Sequence, residues 1–218
     1  PVSRVLTSPL IRCRALADHL GDRPLYVNGE SELARRNARP GNIIYGRSGV
    51  GEWEIVEPFS DLSGTSFLMK GKDGEMSMRS DLLGLHQVGP LVAAADIALR
   101  LGLTVDEVEA GIGKTRPFDH RLKPTVDASG VITLDDSYNG NPDGVAAVID
   151  FLSSLKGLRR FYVTPGLVEM GHRTGDVHRE IGERLAKAGI EKVVLVRNSV
   201  TPYIDEGLKG AGYRGETI

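Results

Sequence analysis

Two different rhythms run along this chain, and the change from one to the other constrains its folding more than any other feature. Between Asn42 and Arg79, short extended runs follow one another: Ile43-Ile44-Tyr45, Trp53 to Val56, Ser66 to Met69 and Met76 to Met78. Only glycine-containing breaks part them, at Ser48-Gly49-Val50-Gly51, Ser63-Gly64 and Lys72-Asp73-Gly74. No gap holds a helix, so the pattern predicts an antiparallel meander with Lys72-Asp73-Gly74 as a hairpin turn. From Val131 onward the rhythm is strand, helix, strand, helix. Val131 to Leu134, Phe161 to Val163 and Val193 to Val196 read as strands. Between them Val145, Val148, Ile149, Leu152 and Leu155 share one helical face, and Val177, Ile181, Leu185 and Ala188 share another; a further helix begins over Tyr203 to Leu208. Such alternation predicts a mainly parallel sheet with crossover helices, with Val131 to Leu134 as a buried strand. Lys114 to Leu122, with Pro117, several charges and no period, reads as a linker. The expectation is an α/β chain in two parts, residues 1–113 and 114–218.

The first part carries helices as well. Leu10 to Leu20 has apolar residues at helical spacing and Gly21 as a stop. Leu25-Tyr26-Val27 is a short apolar run ending in the turn signal Asn28-Gly29, and Ser31 to Asn37 reads as a short helix. Leu91 to Leu101 is apolar nearly all round and rich in Ala, which predicts a buried helix ended by Gly102. Thr104 and Glu107 have the capping-box spacing that opens a helix to about Ala110.

Charge and composition exclude several classes. The 218 residues hold 27 basic and 29 acidic side chains, a net charge of −2, which supplies no field for generic binding to nucleic acid or an anionic membrane. The apolar stretch from Pro90 to Leu101 is broken by Asp96 and Arg100 and is too short to span a bilayer. No signal-peptide pattern opens the chain, and the single cysteine, Cys13, fits a reducing cytoplasm and no internal disulfide. The chain starts at Pro1 without Met, and we read it as part of something longer.

Four segments hold candidate chemistry. Gly111-Ile-Gly113-Lys114-Thr115 ends like a phosphate-binding loop, but the position that needs the first glycine is Val108, inside an expected helix with no strand before it. The bland reading, a glycine helix stop and a linker, is preferred. Leu134-Asp135-Asp136-Ser137-Tyr138-Asn139-Gly140-Asn141-Pro142-Asp143 closes a strand with two carboxylates and opens a helix, with Asn141 at the N-cap and Pro142 at N1. In an open α/β sheet ligands sit at such strand ends, where Asp136 can accept from ribose hydroxyls and helix N–H groups can meet an anion. Asn141 can equally serve as a cap alone. Arg116 to Leu122 sets Arg121 beside His120; an Arg there can clamp a phosphate, but on residue type and place alone a solvated inter-domain basic patch is the preferred reading. His86 and Gln87 open the Ala-rich helix, where a lone His is usually structural.

In their order these segments resemble the C-terminal half of the Mur ligases, the ATP-dependent amide ligases of peptidoglycan precursor synthesis. Gly84-Leu-His86-Gln87-Val-Gly-Pro90 resembles the helix start that ends the family's central ATPase domain. Phe118-Asp-His120-Arg121-Leu122 resembles its linker, and Asp135-Asp-Ser-Tyr-Asn139-Gly-Asn141-Pro142 its C-terminal-domain loop. Val163-Thr-Pro-Gly-Leu-Val-Glu169-Met-Gly171 and His178-Arg-Glu-Ile-Gly182 resemble the strand, loop and helix that follow. The likeness is to the branch that adds D-Ala-D-Ala to a UDP-muramoyl-tripeptide. It implies the end of a Mur-type central domain followed by a Rossmann-like C-terminal domain that closes on ATP. It also implies that Arg121 reaches the nucleotide phosphates, that Asp136 holds the ribose, that Asn139 and Asn141 face the incoming amine, and that His86 and Gln87 lie on the adenine side. Gln87 and Pro90 stand where the family carries Asn, and a proline offers no side-chain hydrogen bond. The family's P-loop, Mg2+ ligands and modified lysine belong upstream of Pro1, so no metal ligand is expected here. Two other readings accompany this one: a Mur-like scaffold or partner-binding subunit without turnover, and a related ligase for another polymer.

Overall fold

The computed structural model describes residues 25–72 and 74–218. The helix expected over Leu10 to Leu20, its stop at Gly21, Cys13 and the hairpin residue Asp73 lie outside the described residues. The chain divides into two compact units between Arg116 and Pro117.

In the first unit, β1 (Tyr26–Asn28), β2 (Ile43–Gly46), β3 (Gly49–Val50), β4 (Trp53–Asp61), β5 (Gly64–Gly71) and β6 (Gly74–Ser80) form one sheet in chain order. A short helix, α1 (Glu32–Arg36), joins β1 to β2, which therefore run parallel; Ser31 caps it by accepting from the Ala34 N–H at 3.2 Å. The rest is the expected antiparallel meander. One stretch read as a break, Gly49-Val50, pairs as a strand between β2 and β4. β4 runs farther than Trp53 to Val56 because a bulge between Val56 and Phe59 absorbs Pro58, which has no N–H to give the ladder. Period-two burial on β6 sets Met76 and Met78 beside Phe67 and Met69 of β5. Helix α2 (Val88–Arg100) presses Val88, Leu91, Val92 and Ala95 into the same core, and Val108 and Ile112 of α3 (Val105–Ile112) complete it.

The Ala-rich helix differs from expectation in one respect: it is not buried all round, since Ala94, Arg100 and the following Leu101 are exposed. Asp96, which interrupts the apolar run, is one of its buried residues. Its Oδ2 accepts from Tyr26 Oη at 2.5 Å and from Arg100 Nε at 2.7 Å, so the buried charge is paired and ties α2 to β1. Burial first, then the Asp96 carboxylate, pushes the Tyr26 hydroxyl up to about 12. The capping box of α3 is present in both directions. The phosphate-loop look-alike is settled by position: Gly111 lies inside α3 and Gly113 at its C-terminus, where carbonyls, the negative end of the helix, face any ligand.

In the second unit β7 (Lys123–Val126) and β8 (Ile132–Asp135) form an antiparallel ribbon. This corrects the expectation of a buried strand at Val131 to Leu134. β7 satisfies the β8 ladder locally, and Val131 stays 56 % exposed. The parallel sheet consists of β9 (Phe161–Thr164), β10 (Lys192–Leu195) and β11 (Glu216–Thr217), in the order β11-β10-β9. Helices α4 (Pro142–Ser154), α5 (Thr174–Lys187) and α6 (Thr201–Gly210) bury Ile149, Ile181, Leu185, Ile204 and Leu208 in a core with Val193. α5 and α6 cross with their backbones in contact: a Cβ on Gly182 would sit 2.1 Å from the Ile204 carbonyl oxygen, and one on Gly207 would sit 2.1 Å from that of Arg179.

This crossing fixes the sign of one substitution. Alanine in a helix interior ordinarily gains about 1 kcal/mol over glycine. At Gly182 the clash is with backbone, and overpacking of that kind costs about 1–3 kcal/mol or more. Gly182→Ala is expected to lower unfolding stability in urea; a gain would contradict the close crossing.

Candidate functional site

The second unit gathers four of the six candidate residues on two adjoining segments. The first is the loop from β8 to α4. Asn141 caps α4, accepting the Gly144 N–H on Oδ1 at 2.9 Å, and Pro142 occupies the first turn. Asp135 spends both carboxylate oxygens locally: Oδ1 accepts the Ser137 N–H at 3.0 Å, and Oδ2 lies 2.6 Å from His120 Nδ1. The Ser137 side chain first, then His120 and the Ser137 backbone N–H, hold Asp135 below the usual carboxylate range. Asp136 is half-buried just past the end of β8. Burial pushes its carboxyl up, while the Arg121 charge and the Leu122 backbone N–H oppose that shift. Beside it, burial and then the Asp136 charge push Tyr162 up to about 12.

The second segment is His120-Arg121-Leu122. His120 and Leu122 both have left-handed backbone, φ 61° and 51°, a conformation that costs a non-glycine residue on the order of 1–3 kcal/mol. Leu122 is only 4 % exposed, so burying its side chain offsets that strain. Between them Arg121 lays its guanidinium over the Tyr138 ring, 4.6 Å from the centroid, and donates from Nη1 to the Asn139 carbonyl at 3.2 Å. An exposed, always-charged fork beside a half-buried carboxylate can take an anion on one side and hydroxyl groups on the other.

Three residues to which the sequence analysis gave no role of their own, His178 and Gly140 within quoted motifs and Asn198 outside them, shape the neighbouring loops. His178, fully buried, accepts the Leu167 N–H on Nε2 at 2.8 Å and bonds the Thr174 carbonyl through Nδ1 at 2.6 Å, which pins the loop after β9. Asn198 donates to the Pro165 carbonyl at 2.6 Å and ties in the loop after β10. Gly140 closes against Leu167, where a Cβ would stand 2.5 Å from Cδ2. The sequence signals were a histidine within the apolar face of α5 and the motif strings that hold His178 and Gly140.

His86 and Gln87 belong to the other unit, in a single 3-10 turn over Leu85–Gln87 ahead of α2. His86 Nδ1 is buried against Gly84, whose φ is 94°, and has no partner; Nε2 lies 3.0 Å from Gln87 Nε2. Burial first, then the Arg47 charge, lowers the His86 pKa. Among the described residues no group of three or more His, Cys, Asp or Glu side chains is placed to hold a metal ion, and no helix is long and apolar enough to cross a membrane. Hollows of about 470 Å³ beside Trp53 and about 660 Å³ beside Tyr213 include none of the six candidate residues.

Residues 120–212 match the family model described as "Mur ligase, glutamate ligase domain". The chain is 31 % identical over 133 residues to the UDP-N-acetylmuramoyl-tripeptide–D-alanyl-D-alanine ligase of Escherichia coli K12, covering 61 % of this chain and 29 % of that protein. The ligase of the same name from Haemophilus influenzae is 29 % identical, over 71 % of this chain and 33 % of its own length. The chain thus spans about a third of the curated relatives it matches. Among solved structures, MurF from Acinetobacter baumannii has a TM-score of 0.75 at 21 % identity over 90 % of this chain and 43 % of its own. A MurF ligase from Thermotoga maritima, solved in complex with ADP, scores 0.70 at 18 % identity, over 88 % of this chain and 48 % of its own. These structural likenesses show the fold, a Mur-type mixed α/β fold.

Two expectations follow. Followed by carboxyl 13C resonances, Asp135 should titrate below about 3.9 and Asp136 above it. By linkage, Asp135 stabilises the fold at neutral pH and loses that contribution as pH falls, whereas ionising Asp136 costs stability as pH rises through its own titration. The reverse order of titration would contradict the two environments. Asn141→Ala should lower stability by about 1 kcal/mol in chemical denaturation, the usual cost of a lost cap.

Proposed function

We propose that the chain, whose residues 120–212 match the Mur ligase, glutamate ligase domain, is the closing half of an ATP-dependent amide ligase of peptidoglycan precursor synthesis. Its substrates are ATP, a UDP-muramoyl-peptide and a D-Ala-D-Ala-type dipeptide, and the reaction is cytoplasmic. In the complete enzyme a substrate carboxylate oxygen attacks the γ-phosphorus and ADP leaves. The dipeptide amine then attacks the acyl phosphate, loses a proton, and phosphate departs from the tetrahedral intermediate. Phosphoryl transfer of this kind depends on positioning and charge neutralisation.

The observation that carries the reading is the Arg121–Asp136 cluster at the end of β8. Arg121 presents a forked cation for the phosphates, and Asp136 an acceptor for the ribose hydroxyls. Asn139 follows in the same loop. Asn141 uses Oδ1 for the cap, which leaves Nδ2 as a donor toward the dipeptide. On the adenine side the contact falls to the Gln87 amide, because His86 Nδ1 is buried against Gly84 and its Nε2 already meets Gln87 Nε2 at 3.0 Å. Mg2+ belongs to the ligase as a whole; none of these residues is assigned to it.

One observation favours a second reading, a Mur-like subunit without turnover: Pro90, in the first turn of α2, offers no side-chain donor or acceptor.

The deciding experiment assays the complete ligase containing these residues with ATP, UDP-muramoyl-tripeptide and D-Ala-D-Ala. Dipeptide-dependent ADP release is expected. An arginine that stabilises the reacting state acts on kcat, so Arg121→Ala should lower kcat about 30- to 1,000-fold, the effect of removing about 2–4 kcal/mol of preorganised stabilisation, with the KM for ATP nearly unchanged. No turnover with any dipeptide would favour the scaffold, and an unchanged kcat would remove Arg121 from the phosphate site.

A further inference from the structure

We infer that the His120–Asp135 pair positions Arg121, holding the guanidinium on the Tyr138 ring before any ligand arrives. The inference rests on the reading above for what Arg121 then does, and on the geometry alone for how it is held.

The contacts close a ring. Asp135 Oδ2 meets His120 Nδ1 at 2.6 Å, and the His120 carbonyl accepts the Tyr138 N–H at 3.3 Å. Arg121 follows His120 in the chain and returns to the same loop twice, through the Tyr138 ring and the Asn139 carbonyl. Asp135 opens that loop, and its second oxygen shapes the turn through the Ser137 N–H. The far end of the segment is held by the buried Leu122.

Backbone conformation makes the clamp necessary. With left-handed residues on both sides of Arg121, an untied segment relaxes toward ordinary backbone and swings the guanidinium off the ring. Such conformations persist where surrounding contacts over-determine them. His120 is 57 % exposed at its side chain, so burial does not hold it; its ring is held by Asp135 and its carbonyl by the Tyr138 N–H.

The same atoms exclude a nucleophilic role for Ser137. Its Oγ lies 3.4 Å from His120 Nδ1, the nitrogen that Asp135 already occupies. A serine nucleophile and an orienting carboxylate need opposite nitrogens of the imidazole.

Three substitutions separate the bond from the backbone. His120→Asn keeps a donor near the Nδ1 position and tolerates left-handed backbone; His120→Gly keeps only the backbone; His120→Ala keeps neither. In NMR spectra of the 218-residue chain, Arg121 side-chain protons stacked on Tyr138 carry a ring-current shift. The shift should survive in His120→Asn and collapse in His120→Gly, His120→Ala and Asp135→Ala. In the complete ligase the last three should lose about 10- to 100-fold in kcat, the scale of a reacting group displaced by about 1 Å, with the KM for ATP within about twofold. His120→Asn should rescue. A ring-current shift preserved in folded His120→Gly or Asp135→Ala would overturn the inference. A shift that collapses while kcat holds would leave the positioning intact and refute the nucleotide role of Arg121 instead.

Discussion

The carboxylate of Asp135 is the point on which the second unit's site turns. One oxygen shapes the loop toward α4, and the other holds the histidine that precedes Arg121. Through these two bonds a pair of exposed segments with little apolar surface becomes a fixed arrangement. Asp136 is set one residue past the ladder, Arg121 is laid on Tyr138, and Asn141 reaches the start of α4. The two neighbouring carboxyls are pushed in opposite directions by their surroundings, Asp135 down by its donors and Asp136 up by burial. That division leaves Asp135 to maintain the loop, with both its oxygens bonded there.

The scaffold around this loop is built for close approach. Gly182 and Gly207 let α5 and α6 touch at the backbone, and Gly140 lets the β8–α4 loop close on Leu167. His178 and Asn198 then tie down the loops after β9 and β10 from behind. In the first unit the sheet and α2 do comparable work at another helix start. The buried Asp96 carboxylate, bonded to Tyr26 and to the exposed Arg100, fixes α2, and Gly84 gives His86 and Gln87 a tight turn ahead of it.

Much of this was legible because it is local. Asn141-Pro142, Thr104 with Glu107 and Ser31 announce helix starts through side chains that bond their own first turns. The Val177, Ile181, Leu185 period announces α5, and the alternation of β6 announces its buried face. What stayed hidden depends on partners distant in sequence. The run Val131 to Leu134 carries no mark of whether it pairs with β7 in a ribbon or joins a parallel sheet. β7, with its Lys and Pro, does not look like a strand at all. Gly49-Val50 reads as a break because nothing in two residues shows that both neighbours have free ladder positions. In the site, Asp136, Arg121 and Asn141 stood out by residue type and place. The left-handed backbone at His120 and Leu122, the Tyr138 ring under Arg121 and the buried ring of His178 had no sequence signature beyond a histidine in an unexpected position.

The central claim is that the end of β8 is where the nucleotide is met. The most direct measurement is a crystal structure of the complete ligase closed on a non-hydrolysable ATP analogue. The account predicts Arg121 guanidinium nitrogens about 2.7–3.2 Å from phosphate oxygens and an Asp136 carboxylate oxygen at hydrogen-bonding distance from a ribose hydroxyl. A closed, nucleotide-bound structure in which neither side chain touches the nucleotide would contradict it.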